Sequence, residues 1–162
     1  MAWSAKRACL AVVLVILASF AAIRPADAAS PFGRLDGAWV GGGRALFEGG
    51  QSERLSCNAY YKSSGGGNRL ALSLRCASAS SKIELRGTLN YASGQISGSW
   101  EERTFNAGGS LAGSATEKSV FLRFTGSTMG TMSVSLAGGR QSIAISSRGS
   151  ALRGVSVSLG RR

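Results

Sequence analysis

Leu55-Ser56-Cys57-Asn58-Ala59-Tyr60-Tyr61-Lys62, Ser63-Ser64-Gly65-Gly66-Gly67-Asn68 and Arg69-Leu70-Ala71-Leu72-Ser73-Leu74-Arg75-Cys76 form the continuous stretch whose reading decides the fold. In both outer arms apolar and polar residues alternate with period two, the pattern of a half-buried strand. The glycines between them supply the positive backbone angles that a chain reversal needs. Pairing the arms about the midpoint of Gly66 and Gly67 sets Tyr61 opposite Leu72, Ala59 opposite Leu74 and Cys57 opposite Cys76. Leu55, Cys57, Ala59 and Tyr61 then share one face with Leu70, Leu72, Leu74 and Cys76. Both cysteines point to the apolar side and face each other. A non-hydrogen-bonded antiparallel pair brings backbones to about 4.5 Å, within reach of a disulfide. An antiparallel hairpin stapled from inside is predicted.

The same alternation continues along the chain, with glycine and serine clusters at intervals of roughly ten residues, as in an all-β sandwich or barrel. Eight or nine strands are read, over 36–47, 51–62, 69–77, 82–91, 95–105, 118–125, 129–137, 140–147 and 151–159. Residues 110–115 form either a further strand or part of a long connection. A second hairpin turns at Ser93-Gly94 and sets Gly87 opposite Trp100 and Leu85 opposite Glu102. A third turns at Gly138-Gly139, pairing Val134 with Ile143 and Met132 with Ile145. Long strands with one wet and one apolar face point to an antiparallel up-and-down barrel of about eight strands, with a β-sandwich as the alternative.

The compartment is read from the first residues. Lys6 and Arg7 precede an apolar run from Ala8 to Ile23, and Ala26-Asp27-Ala28 supplies a small-x-small cleavage pattern. That run is shorter than the about 20 residues a membrane span needs. Residues 1–28 are therefore expected to be a signal peptide that takes Cys9 with it, 29–35 a flexible segment, and 36–162 one domain. The product is expected in the periplasm or secreted, where a cysteine pair reads as a disulfide. Outward Lys82, Glu84, Arg86 and Arg103 would sit in lipid if this were an outer-membrane barrel, which argues against one.

Of 19 basic and 8 acidic side chains, Lys6, Arg7, Arg24 and Asp27 leave with the signal, so 16 and 7 remain, a net of +9. Such charge attracts anionic surfaces. Basic residues are dispersed, with no run of four or more, which argues against a nucleic-acid stripe. The chain has no histidine. Ser-His-Asp and Cys-His catalysis and every histidine-containing metal site are thereby excluded. Asp36 and six glutamates, of which only Glu101 and Glu102 are adjacent, offer no calcium-binding loop. No catalytic, cofactor or metal residues are read.

Leu35-Asp36-Gly37-Ala38-Trp39 carries a G-x-W element at the start of the first strand. This resembles the opening of calycin-type barrels, such as lipocalins and the small bacterial inhibitors of secreted metalloproteases. The resemblance implies a tryptophan plugging one barrel end and, from the inhibitors, one disulfide after that strand. With the Cys57–Cys76 hairpin and Gly98-Ser99-Trp100-Glu101-Glu102, the chain is also similar to small exported alphaproteobacterial β proteins of unknown function.

Trp39, Tyr61, Tyr91, Trp100 and Glu102 are the candidate ligand pocket. Glu102 shares parity with Ile96 and Trp100, so it points inward. Its place three residues before Phe105 predicts a carboxylate solvated at the barrel mouth; pairing with an inner arginine or anchoring a ligand are the alternatives. Trp39, Gly41, Gly43, Ala45 and Phe47 line the first strand's inner face, with Gly43 placed opposite Cys57 to make room for the disulfide, or else to leave a cavity. Phe121 faces outward, a candidate contact patch. The expected function is binding without catalysis, by a monomer, of a small apolar ligand or an anionic envelope component. The alternatives are an inhibitor or partner of a secreted protein such as a protease, acting through residues 29–35 or the open-end loops, and a structural envelope protein held by positive charge. No nucleic-acid partner and no cofactor are expected.

Overall fold

The computed structural model describes residues 30–162. The signal peptide expected over 1–28, including Cys9, lies outside the described residues. A single helical turn, α1 (Phe32–Leu35), leads into ten strands: β1 (Gly37–Phe47), β2 (Ser52–Ser64), β3 (Arg69–Ala77), β4 (Lys82–Ala92), β5 (Gln95–Glu102), β6 (Ala107–Ala115), β7 (Ser119–Gly126), β8 (Met129–Ala137), β9 (Arg140–Arg148) and β10 (Leu152–Arg161). Each strand pairs antiparallel with its chain neighbours, and β1 pairs with β10 to close the ring. The architecture is a closed up-and-down barrel, not a sandwich. It has ten strands rather than about eight. The segment left open at 110–115 is a full strand over Ala107–Ala115, whose glycines had masked its alternation. No helix among the described residues is long and apolar enough to cross a membrane.

Register follows the hairpin chemistry. Cys57 pairs with Cys76, Ala59 with Leu74 and Tyr61 with Leu72. The cysteines form a disulfide across Cα atoms 4.1 Å apart. Gly87 faces Trp100, Leu85 faces Glu102, Val134 faces Ile143 and Met132 faces Ile145. Ser93 and Gly94 both take positive φ, 48° and 84°, as a two-residue turn with the right twist for a hairpin requires.

One register differs. Gly41, not Gly43, lies opposite Cys57; Gly43 lies opposite Leu55. The Glu48–Gly50 turn between β1 and β2 shifts the arms by two residues, which preserves inner and outer faces. These glycines also have another cause than making room for sulfur. A methyl group at Gly41 or Gly43 would overlap the Ser158 or Ser156 carbonyl oxygen of β10. At these two positions the β10 backbone approaches too closely for a side chain.

The two barrel ends are unlike. At one, residues expected to be a flexible segment instead form a plug: Phe32 and Leu35 are buried, and Phe32 meets Tyr91 edge-on with centroids 6.0 Å apart. Trp39 lies under this turn and its Nε1 donates to the Leu35 carbonyl at 2.6 Å. Apolar burial holds the segment down, since two large side chains leave water together. At the other end the turns after β1, β3, β5, β7 and β9 surround an opening.

Candidate functional site

Inward positions of β3 to β10 in the open half enclose a cavity of about 490 Å³. Leu72, Leu74 and Cys76 of β3 form one wall, with Ile83, Leu85 and Gly87 of β4 beside them. Leu122, Phe124, Met132, Ile145 and Val155 form the opposite side. Phe105, Asn106, Ser127, Thr128 and Ser150 stand at the mouth. Strand alternation accounts for this lining, because every second residue of each strand faces the axis. Gly87 lets the Leu72 side chain lie close over the wall: a methyl there would come within 3.2 Å of it.

Trp100 is fixed within the cavity. Its ring meets Phe124 edge-on at 5.5 Å, and its Nε1 donates to the Thr125 carbonyl at 3.3 Å. An aromatic pair in this geometry is favourable beyond the area it buries. The indole is thus a fixed part of the cavity wall.

Glu102 is not solvated at the mouth. It is 9% exposed and lines the cavity. One carboxylate oxygen accepts from the Glu84 backbone N–H at 2.7 Å, the other from the Phe105 N–H at 2.6 Å. Among the described residues, no arginine pairs with it. The β4–β5 ladder ends at Leu85 opposite Glu102, so the side chain replaces ladder acceptors just beyond that end. A buried charge is tolerable when backbone donors meet both oxygens. Its role is to fasten the turn between β5 and β6.

The five residues read as a pocket therefore separate. Trp100 and Glu102 line the cavity. Trp39, Tyr61 and Tyr91 belong to the plugged end and do not. Tyr61 donates to Gln141 Oε1 at 2.9 Å, and burial pushes its phenol well above the usual tyrosine range although that bond opposes the shift. Among the described residues, Gln141 Nε2 is buried without a hydrogen-bond partner. The sequence signal for the separation was present in strand direction: Tyr61 and Tyr91 lie next to the turns at 65–67 and 93–94, on the same end as Trp39.

Outside the cavity, Glu84 gathers Arg75 at 3.3 Å, Arg86 at 3.2 Å and Arg103 at 3.9 Å. Desolvation raises its carboxyl, but the Arg86 hydrogen bond and the three guanidinium charges together hold it below the usual range. Phe121 faces outward as expected and is 43% exposed. The exposed Phe105 escaped sequence reading, because its turn broke the alternation that marks strand faces.

The barrel as a whole is similar to the crystal structure of Rv2717c from M. tuberculosis, with a TM-score of 0.63 at 14% identity over 82% of this chain and 94% of that one. At such identity the likeness concerns the fold alone. No protein-family model matches the chain, and no curated protein matches it. The calycin-type and alphaproteobacterial resemblances thus rest on their short motifs, while the barrel itself has a solved counterpart.

Proposed function

We propose that this is a non-enzymatic binding protein of the periplasm or cell exterior that holds a small, uncharged apolar ligand in the open half of its barrel. The carrying observation is the cavity of about 490 Å³, walled by leucine, isoleucine, methionine, phenylalanine and tryptophan side chains. Ligand sites commonly span about 300–1,000 Å³ with apolar walls and few polar groups. Transfer of apolar surface from water into such a space contributes roughly 25 cal/mol per Å². The Glu102 carboxylate in the wall disfavours an anionic guest, and its oxygens already serve two backbone amides. The Cys57–Cys76 bond is compatible with an oxidising compartment. The plug also bears on the inhibitor alternative, because Phe32 and Leu35 are spent on the protein's own interior.

Titration with N-phenyl-1-naphthylamine, an uncharged fluorophore, tests the reading. Saturable binding with blue-shifted emission is expected, and Met132→Trp, which narrows the cavity, should weaken it about tenfold or more. Fluorophore affinity unchanged in a variant that melts like wild type would remove the cavity as the site. Native mass spectrometry of protein taken from its own compartment then identifies the resident ligand.

A further inference from the structure

The cavity mouth carries apolar side chains in water. Phe105, in the turn after β5, and Met129, the first residue of β8, are each 58% exposed. Leu46, at the end of β1, is 46% exposed. Basic residues lie among them: Arg103 two positions before Phe105, Arg148 directly opposite Met129, and Arg44 two positions before Leu46. Arg44 itself faces Arg54 across the β1–β2 ladder, an unfavourable pairing unless both charges find anions elsewhere. Among the described residues, no carboxylate lies within ion-pair distance of Arg44, Arg54, Lys82 or Arg148. Four of the five acids at this end are already engaged, and the fifth, Glu101, is exposed opposite Arg86 on the β4–β5 ladder. Glu48 pairs with Arg153, Glu84 holds three arginines, Glu53 accepts from Ser80, and Glu102 is buried.

Separate apolar tips with cations between them fit a lipid headgroup layer better than a flat protein face. Phenylalanine and methionine enter the acyl boundary while arginines meet phosphate. The Glu102 bond to the Phe105 amide adds a reason for its costly burial, since it fixes the turn that presents the phenyl ring. We propose that the open end docks on an anionic lipid bilayer, with Phe105 and Met129 inserted, so that an apolar ligand passes between bilayer and cavity without crossing water. The passage of ligand rests on the cavity reading. The docking is measured independently of it.

The test is co-sedimentation of the disulfide-bonded protein with vesicles of phosphatidylglycerol and phosphatidylcholine, against phosphatidylcholine alone. Binding to the anionic vesicles is expected, with a loss of about tenfold or more in the double variant Phe105→Asp, Met129→Asp. Phe121→Asp, on the barrel flank, should bind as wild type does. If the double aspartate variant melts abnormally, Phe105→Ala with Met129→Ala replaces it, with the same direction expected. Absence of binding to anionic vesicles, equal binding by the tip variants, or an equal loss in Phe121→Asp would overturn the proposal. Fluorophore binding in solution, retained while vesicle binding fails, would sink the docking alone. The reverse outcome would sink the cavity reading alone.

Discussion

The Arg161 guanidinium lies 4.7 Å from the centroid of the Trp39 ring, joining the last strand to the first where the barrel closes. It also donates to the backbone carbonyls of Asp36 and Arg34, each at 2.6 Å. One side chain thereby ties β10, β1 and the plug together. Arg161→Ala should lower stability by about 1–2 kcal/mol, from the lost cation–π contact and two exposed charge-assisted bonds. Arg161→Lys should recover only part, because the donors of an ammonium radiate from one nitrogen, whereas the two carbonyls are met by separate nitrogens of the planar guanidinium. Urea unfolding of the three proteins measures this, and full recovery by lysine would refute the geometric account.

The disulfide closes a loop between residues 19 apart in sequence. Its removal as Cys57→Ala, Cys76→Ala should cost about 3 kcal/mol, chiefly by freeing the unfolded chain. Denaturant midpoints of wild type and variant, each with and without reductant, supply the comparison. Reductant should shift only the wild type.

Glu102→Gln replaces one acceptor oxygen by an NH2 group that faces a backbone N–H. Hydrogen exchange at the Glu84 and Phe105 amides should accelerate, with a global loss of about 1.5–3 kcal/mol. Exchange left at its wild-type rate would mean that the carboxylate does not hold the turn.

Tyr61 sets an alkaline limit. Burial raises its phenol above the ordinary value of 10.0, so the folded form keeps its proton where the unfolded chain has lost it. The stability linked to this group is intact below pH 10.0 and declines as pH climbs above it. Alkaline titration of the folding midpoint should show that decline, and Tyr61→Phe should flatten it, while leaving Gln141 Oε1 without its donor. Asp36 works at the acid side. Its hydrogen bond from Ser63 is the main cause that lowers its carboxyl below 3.8, so its stabilisation is present above 3.8 and is lost as pH falls further. Ser63→Ala should move that acid-side loss upward in pH.

Strand pairing was legible because it depends on local pattern. Two cysteines equidistant from a glycine turn and the matching of Gly87 to Trp100 require only counting along two arms. The plug was not legible, because Phe32 and Leu35 make one apolar turn with no period, and only the barrel end tells them where to go. The cavity was half legible. Parity places Trp100 and Glu102 inside, but height along the axis separates them from Tyr61 and Tyr91, and parity says nothing of height. Glu102 was misjudged for a related reason: backbone amides beyond a ladder's end have no signature in side-chain alternation. Strand number was undercounted where glycines at 108, 109 and 113 diluted the pattern of β6.

With a plug filling one storey of the tube and a cavity in the other, structural integrity and the proposed ligand selection occupy separate floors. Leu35 or Trp39 cannot be trimmed without loosening the foundation, whereas Leu72, Leu122 and Met132 border the cavity, where a change of size alters its shape. Divergent copies of this scaffold could exchange one hydrophobic guest for another by altering the upper room, with the lower left untouched.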